Sequence, residues 1–303
     1  MTMEINKQNG NIAFAEKEHK YWDVTNPDKD YISVTTLIHS FTNPFDADFW
    51  SAYKALERLL DKDSWKIEKK SLLNSKKFNK EILDAYGINE NDFNKVQQDI
   101  LDEWDEENRK SCERGTKIHA ELENSFYKSG KNVNLQKFGI GGKFECRKDY
   151  SDLDLEYGVY PEYLISRTSD DGILRIAGQV DLIVKSGNDV WIIDHKTNKK
   201  IDQKSFFDQK TKSSTKMKYP LNNLDDVNFY HYTLQLSTYA WMLQKINPNF
   251  IIKGLILNHY DHNGNNTLYH CDYLKDDVEN MLAYYKKCLI LKNKRAKRKR
   301  IEY

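Results

Sequence analysis

No stretch of this 303-residue chain approaches the roughly 20 consecutive apolar residues that a membrane-spanning helix needs, and the polar Met1–Gly10 segment has no apolar h-region. The expected compartment is therefore a cytoplasm, with no membrane partner. Cysteine is scarce: Cys112, Cys146, Cys271 and Cys288 lie far apart and form no C-x-x-C pair. That spacing argues against a zinc ribbon, a redox motif or a disulfide framework. A G-x-x-x-x-G-K-[ST] phosphate loop is missing, so no ATP-driven motor is encoded, and no internal repeat is visible. Net charge is nearly missing too. At +1 the chain has no global basic field, so attraction to a polyanion must come from local clusters.

Aromatic residues are plentiful. The 19 Tyr, 13 Phe and 6 Trp supply more apolar surface than a disordered chain carries, although the mean hydropathy is -0.80 and 31% of residues are charged. The length allows one large domain or two small ones. Two basic clusters stand out. Eight lysines between Lys196 and Lys218 are set against only Asp202 and Asp208, and the C-terminus reads Lys292-Asn-Lys-Arg-Ala-Lys-Arg-Lys-Arg300. Both could contact phosphates, with Lys199, Lys200, Lys204, Lys210 and Lys212 the expected nucleic-acid contacts. A solvated face or loose tail is the alternative.

Alternation in Ile12–Phe14, Lys20–Trp22 and Tyr31–Thr35, with a turn-forming Thr25-Asn-Pro-Asp28 between, predicts a small N-terminal β element. Helical spacing follows at Asp46–Leu60, Lys76–Tyr86 and Asp92–Tyr127. Strands are predicted at Val159–Ser166, Ile173–Lys185, Val190–Lys196 and Phe250–His259, with a helix over Phe229–Ile246 and an amphipathic C-terminal helix through Val278, Met281, Leu282, Tyr285 and Leu289. This order suits an α/β core behind a helical N-terminal region. The expected organisation is residues 1–98 as β element and helices, 99–291 as the core with a lysine-rich loop over 197–227, and 292–303 as a basic tail. That loop is longer than a compact core needs, and a mobile loop gripping DNA would explain it; an unstructured insertion is the alternative.

The chemistry concentrates in a hairpin. The runs Ile176–Lys185 and Val190–Thr197 flank Gly187-Asn188, a strong two-residue turn signal. A turn centred there makes opposed residues sum to 375, which sets Asp181 across from Asp194, with Cβ atoms about 5 Å apart. Lys196 shares that face and opposes Gln179, while His195 points the other way. Two bare carboxylates so placed repel each other. A hard divalent cation resolves the conflict and offsets the charge that builds up when a phosphodiester is attacked, with Lys196 holding or polarising the attacking water. The bland alternative is a surface Asp, Asp, Lys charge network.

With these residues in place the sequence resembles the PD-(D/E)XK nuclease superfamily, most closely its RecB-like exonuclease branch. Asp181 matches the first metal-binding Asp, with Val180 where the signature has proline, and Asp194-His195-Lys196 matches the (D/E)-x-K element. Arg114-Gly-Thr-Lys-Ile-His119 resembles the branch's Gly-Thr-x-x-His helix, and Gln235-Leu-Ser-Thr-Tyr239 its Gln-x-x-x-Tyr motif. Ser33-Val-Thr-Thr-Leu and Trp104 extend the likeness over most of the chain. The resemblance implies a restriction-endonuclease-like core, a mixed central sheet flanked by helices. It also implies Mg²⁺ or Mn²⁺ held by His119, Asp181, Asp194 and the His195 backbone carbonyl, with Gln235 and Tyr239 in the catalytic set. Glu162 occupies a strand position that often joins such sites; an ordinary edge-strand charge is the alternative. With only Cys271 and Cys288 downstream of Lys196, no iron-sulfur cluster is expected. The implied activity is exonucleolytic cleavage of DNA, single-stranded or at duplex ends, in replication, recombination or repair. A recombinase or single-strand-binding protein is the implied companion. An endonuclease, or a non-catalytic DNA-end binder on the same fold, remains open.

The residues support the added positions on their own. His119 precedes Leu122 and Phe126 by three and seven, so it lies on or beside the buried face of its helix. A lone histidine there is more often a satisfied core residue; its combination with the aspartates points to a ligand. Gln235 and Tyr239 are one turn apart on an otherwise apolar helix, and a buried amide left unpaired costs about 1–3 kcal/mol.

Overall fold

The computed structural model describes residues 5, 7–18, 20–147, 155–205, 207–208 and 213–301. The chain opens with β1 (Lys7–Asn9), β2 (Ile12–Ala15), β3 (Lys20–Asp23) and β4 (Asn26–Ser33), then α1 (Val34–His39), α2 (Ala47–Leu59), α3 (Lys62–Ser75), α4 (Glu81–Ala85) and α5 (Glu90–Ser129). There follow β5 (Gly158–Thr168), β6 (Arg175–Ser186), β7 (Asp189–Lys196), β8 (Phe207–Asp208), β9 (Ser213–Ser214), α6 (Asn228–Ile246), β10 (Ile251–Tyr260), β11 (Asn266–Cys271) and α7 (Lys275–Ile301).

Two compact units share the chain: residues 1–43 with 117–303, and residues 44–116. The expected boundary at 98/99 falls inside α5, and the units divide at 43/44 and 116/117 instead. The smaller unit is helical, with its own core of Phe49, Tyr53, Leu56, Leu72, Leu83, Phe93 and Ile100. Asp46 caps α2 by accepting from the Phe49 N–H. α3 was not legible in the sequence because only Leu72 of its residues is buried, so apolar periodicity hardly marks it. The helix expected over 76–86 shrinks to α4, since Lys76 at φ 53 ends α3 and 76–80 is not helical.

In the larger unit, among the described residues, nine strands form one mixed, mostly antiparallel sheet in the order β1-β2-β3-β4-β6-β7-β10-β11, with β5 paired to β6. The β2–β4 meander turns between Asp23 and Asn26, earlier than expected, with Asp23 Oδ1 accepting from the Thr25 N–H. The β6–β7 hairpin has the register read from its turn: Leu182 faces Ile193 and Ser186 faces Asp189. Gly187 closes it at φ 61, a conformation a side chain would strain. One face of the sheet packs on α1, α6 and α7 through Leu37, Ile183, Ile192, Leu236, Leu257 and Met281. The other face carries Phe126, Leu135, Phe144, Leu182, Val184 and Ile256.

Two irregularities place the site. β4 pairs with β6 at 176–177 and β7 pairs with it at 182–186, leaving residues 178–181 of β6 outside both ladders. At the same level the alternation of faces slips by one in two strands. Tyr160 and Tyr163 of β5 both enter the α6-side core, as do Val180 and Ile183 of β6. Glu162 sits at the slip with φ 51, a left-handed backbone uncommon for a non-glycine residue and frequent where function demands strain.

Segment 197–227, expected as a mobile loop, is anchored to the core at several of its described residues. Ile201, Met217, Leu221 and Leu224 are buried, Lys216 pairs with Asp225 at 2.6 Å, and Asp226 accepts from the Asn43 backbone at 2.7 Å. The basic C-terminal run continues α7 rather than forming a separate tail.

Candidate active centre

Asp181, Glu162 and Asp194 come from three adjacent strands. The β5–β6 ladder sums to 343 and the β6–β7 ladder to 375, so Glu162, Asp181 and Asp194 stand at one level across the sheet. The 181/194 level lies one step past the last paired residues of the hairpin. There the Asp181 carboxylate replaces the missing ladder bond, its Oδ2 accepting the His195 N–H at 2.6 Å.

His119 arrives from α5 and donates Nε2–H to the His195 carbonyl at 3.1 Å. The His195 carbonyl, expected as a metal ligand, is thus engaged with the imidazole. This contact aims His119 Nδ1 at the carboxylates, 3.5 Å from Glu162 Oε1 and 3.6 Å from Asp181 Oδ2. One donor atom from each of His119, Glu162 and Asp181 lies within 4.8 Å of the others. Two carboxylate oxygens and an imidazole nitrogen are a donor set compatible with a divalent metal ion.

Electrostatics point the same way. Burial, reinforced by Asp194, lifts the Asp181 pKa to about 7, and the nearby Asp181 charge lifts that of His119 to about 9. Burial works against ionised Glu162, but His119 and Lys7 hold its pKa below the usual range. Asp181 and His119 thus hold protons beside an ionised Glu162, where a cation would serve both carboxylates and leave Nδ1 as a donor.

Asp194 stands outside that donor set. It is 1% exposed, its Oδ2 is 2.6 Å from Lys196 Nζ, and its Oδ1 accepts from Gln235 Nε2 at 3.2 Å. Gln235 also donates to Tyr239 Oη at 3.3 Å and accepts from Lys196 at 3.2 Å, so all four polar residues form one connected network. Burial alone would lower the Lys196 pKa, yet Asp194 and Asp181 outweigh it and the net shift is upward, so the ammonium stays charged. Its Nζ also lies over the Tyr232 ring, 4.4 Å from the centroid.

The sequence placed Asp181, Asp194, Lys196, His119, Gln235 and Tyr239, and all six meet here. Glu162 joins them fully. Sequence reasoning missed Tyr232, under the Lys196 ammonium, and Lys7, 3.5 Å from Glu162 Oε2. Tyr232 precedes Gln235 by one turn of α6, a spacing that could have exposed it. Of the expected nucleic-acid contacts, Lys199, Lys200 and Lys204 are exposed and Lys200 pairs with Asp202 at 2.9 Å, whereas Lys210 and Lys212 lie outside the described residues. His195 faces away and is enclosed, with Asn258 donating to its Nδ1 at 2.9 Å. Burial lowers its pKa well below the ordinary value, so the ring is neutral. No helix among the described residues is long and apolar enough to cross a membrane.

No family model and no curated protein matches the chain. Among solved structures, it is similar to SSO0001 at 15% identity, covering 86% of this chain and 76% of that one, with a TM-score of 0.35. It is also similar to a candidate exonuclease from Eubacterium rectale at 11% identity, covering 43% of each chain, with a TM-score of 0.30. Similarities this distant leave the functional argument to the geometry of the centre itself.

Proposed function

We propose that this chain is a Mg²⁺- or Mn²⁺-dependent nuclease of the PD-(D/E)XK type, in its RecB-like branch, acting on DNA ends that are single-stranded or resected. One observation carries the reading: a His119, Glu162 and Asp181 donor set lies beside a buried Asp194 that is itself held by Lys196 and Gln235. When bound, the metal supplies Lewis-acid polarisation of a phosphoryl oxygen and a more acidic water. His119, Glu162 and Asp181 would hold it.

The remaining residues organise the attack. Lys196, kept cationic by Asp194, is a donor and charge stabiliser rather than a base, and it is placed to orient a water and neutralise charge developing on the phosphate. Gln235 fixes both partners of the Lys196–Asp194 pair at once, and its contact with the enclosed Tyr239 fixes Gln235. A centre that restrains its cation at two points is preorganised for charge stabilisation, which is where most phosphoryl-transfer catalysis arises.

End-labelled linear and closed circular DNA, each incubated with Mg²⁺ or Mn²⁺, test the proposal. The expected result is degradation of linear single strands, intact circles, and a loss of about 10²-fold or more for Lys196→Ala. Cut circles would convert the reading to an endonuclease. Salt-sensitive DNA binding without cleavage under either metal would convert it to a DNA-end binder.

A further inference from the structure

We propose that Lys7, on the first strand of the sheet, is a phosphate-contacting residue of this centre that exchanges a carboxylate partner for the substrate's phosphodiester when a divalent cation binds. The inference rests on the metal-dependent reading above and adds a residue to its substrate side.

Lys7 Nζ lies 3.5 Å from Glu162 Oε2 and 3.3 Å from Glu123 Oε1. Glu162 is 8% exposed, and its other oxygen is the one that faces His119 Nδ1. The lysine therefore contacts a member of the donor set directly, through Glu162 of β5, whereas Lys196 pairs with Asp194 of β7. Its side chain is 32% exposed while its ammonium lies beside a buried acid. Glu123 has a second partner, accepting from Tyr127 Oη at 3.1 Å, and Glu162 also accepts from Gln179. Neither carboxylate depends on Lys7 alone.

A cation with two charges seated among His119, Glu162 and Asp181 would become the main counter-ion of Glu162 and would repel the ammonium beside it. Lys7 would then need an anion within its reach. A phosphodiester drawn to the same cation brings one there: of its two non-bridging oxygens, one can meet the metal while the other meets a lysine beside it. Lysine suits the task, being a compact charge on a flexible stem that can move between partners. β1 reaches this position because it pairs with β2 along Lys7–Phe14 and because Asn9 Nδ2 donates to the Leu164 carbonyl of β5 at 2.8 Å. The strand is thus tied to the element that carries Glu162.

The test uses the full-length protein with Lys7→Gln and Lys7→Arg. Mn²⁺ titrated alone by calorimetry reads the metal, and fluorescence anisotropy of a single-stranded oligonucleotide, in Ca²⁺ and in EDTA, reads the phosphate. Lys7→Gln is expected to bind Mn²⁺ several-fold more tightly, because a neighbouring positive charge is gone. The same variant is expected to bind the oligonucleotide about tenfold more weakly in Ca²⁺ but within about twofold of wild type in EDTA. Lys7→Arg keeps both properties near wild type. A purely structural lysine would give the opposite metal result, with looser Mn²⁺ binding in Lys7→Gln, and that outcome overturns the proposal. Equal oligonucleotide losses in Ca²⁺ and EDTA overturn it too, since they show no exchange of partners. If wild type binds Mn²⁺ and the oligonucleotide yet cleaves nothing, the nuclease reading fails, while these binding measurements still decide the role of Lys7.

Discussion

Gly178 shows how tightly the centre is built. A Cβ at this position would lie 2.5 Å from Tyr239 Cε1 and 2.8 Å from its hydroxyl oxygen. Tyr239 is 2% exposed, so its ring has little room to retreat. Gly178→Ala should cost about 1–3 kcal/mol by overpacking, read as a lower unfolding midpoint. Because Tyr239 Oη accepts from the same Gln235 amide that holds Asp194, displacement of the ring should also slow single-turnover cleavage about tenfold. DNA binding in Ca²⁺ should not change. Normal cleavage by a folded Gly178→Ala protein would show that Tyr239 only fills space. Glu162→Gln asks the matching question of the donor set: it keeps the side chain's shape and removes its charge. Calorimetry should show Mn²⁺ binding weakened about tenfold or more if Glu162 is a ligand, and unchanged if its role is only to pair with Lys7.

Among the elements, α6 carries three polar residues to one strand end. Tyr232, Gln235 and Tyr239 recur at three and four residues, and the first two reach Lys196 on β7. An aromatic face under a buried ammonium favours its charged state and limits where it can swing. Tyr232→Phe should therefore cleave within about twofold of wild type, while Tyr232→Leu loses about tenfold in kcat with KM unchanged. In a Lys196→Ala background Tyr232→Leu should cost nothing further, and additive losses in the double variant would sink this role. The hairpin part of the site was legible because a two-residue turn fixes register by arithmetic, and the ladder from Ser186–Asp189 to Leu182–Ile193 obeys it. The rest depends on contacts that local periodicity does not encode. Glu162 becomes a site residue through a paired slip in β5 and β6 and a positive φ, neither of which leaves a pattern in Val159–Ser166. Lys7 lies 155 positions before Glu162, and only the strand order of the meander brings it near. Gly178 reads as an ordinary strand glycine until Tyr239 is packed against it. Within residues 44–116, α3 was harder still, since it buries so little of its surface.

For the whole molecule, the centre should make stability depend jointly on pH and divalent metal. In the folded metal-free protein the Asp181 pKa rises from 3.8 to about 7, so ionising this buried carboxyl costs stability progressively as pH climbs through that range. His119 rises from 6.5 to about 9; its contribution is complete below about pH 6.5 and is lost as pH rises through about 9. Glu162 shifts downward, so its contribution is present above the usual carboxylate pKa and is lost only in acid; it stays constant between about pH 6 and pH 9. Across that window Asp181 and His119 both remove stability from the metal-free protein as pH increases. A divalent cation held by this proposed donor set would bind the forms that have lost those protons, so it would compete with protons and stabilise more where they are scarce. The rise in Tm caused by millimolar Mg²⁺ or Mn²⁺ should therefore be larger at about pH 8.5 than at about pH 6. Asp181→Asn should reduce this difference, because it removes a titrating group and a ligand together. Thermal unfolding of both proteins with and without metal at the two pH values makes the comparison. A metal-induced rise that is greater at the lower pH would mean that protons and metal do not meet at His119, Glu162 and Asp181, and the donor set would have to be sought elsewhere.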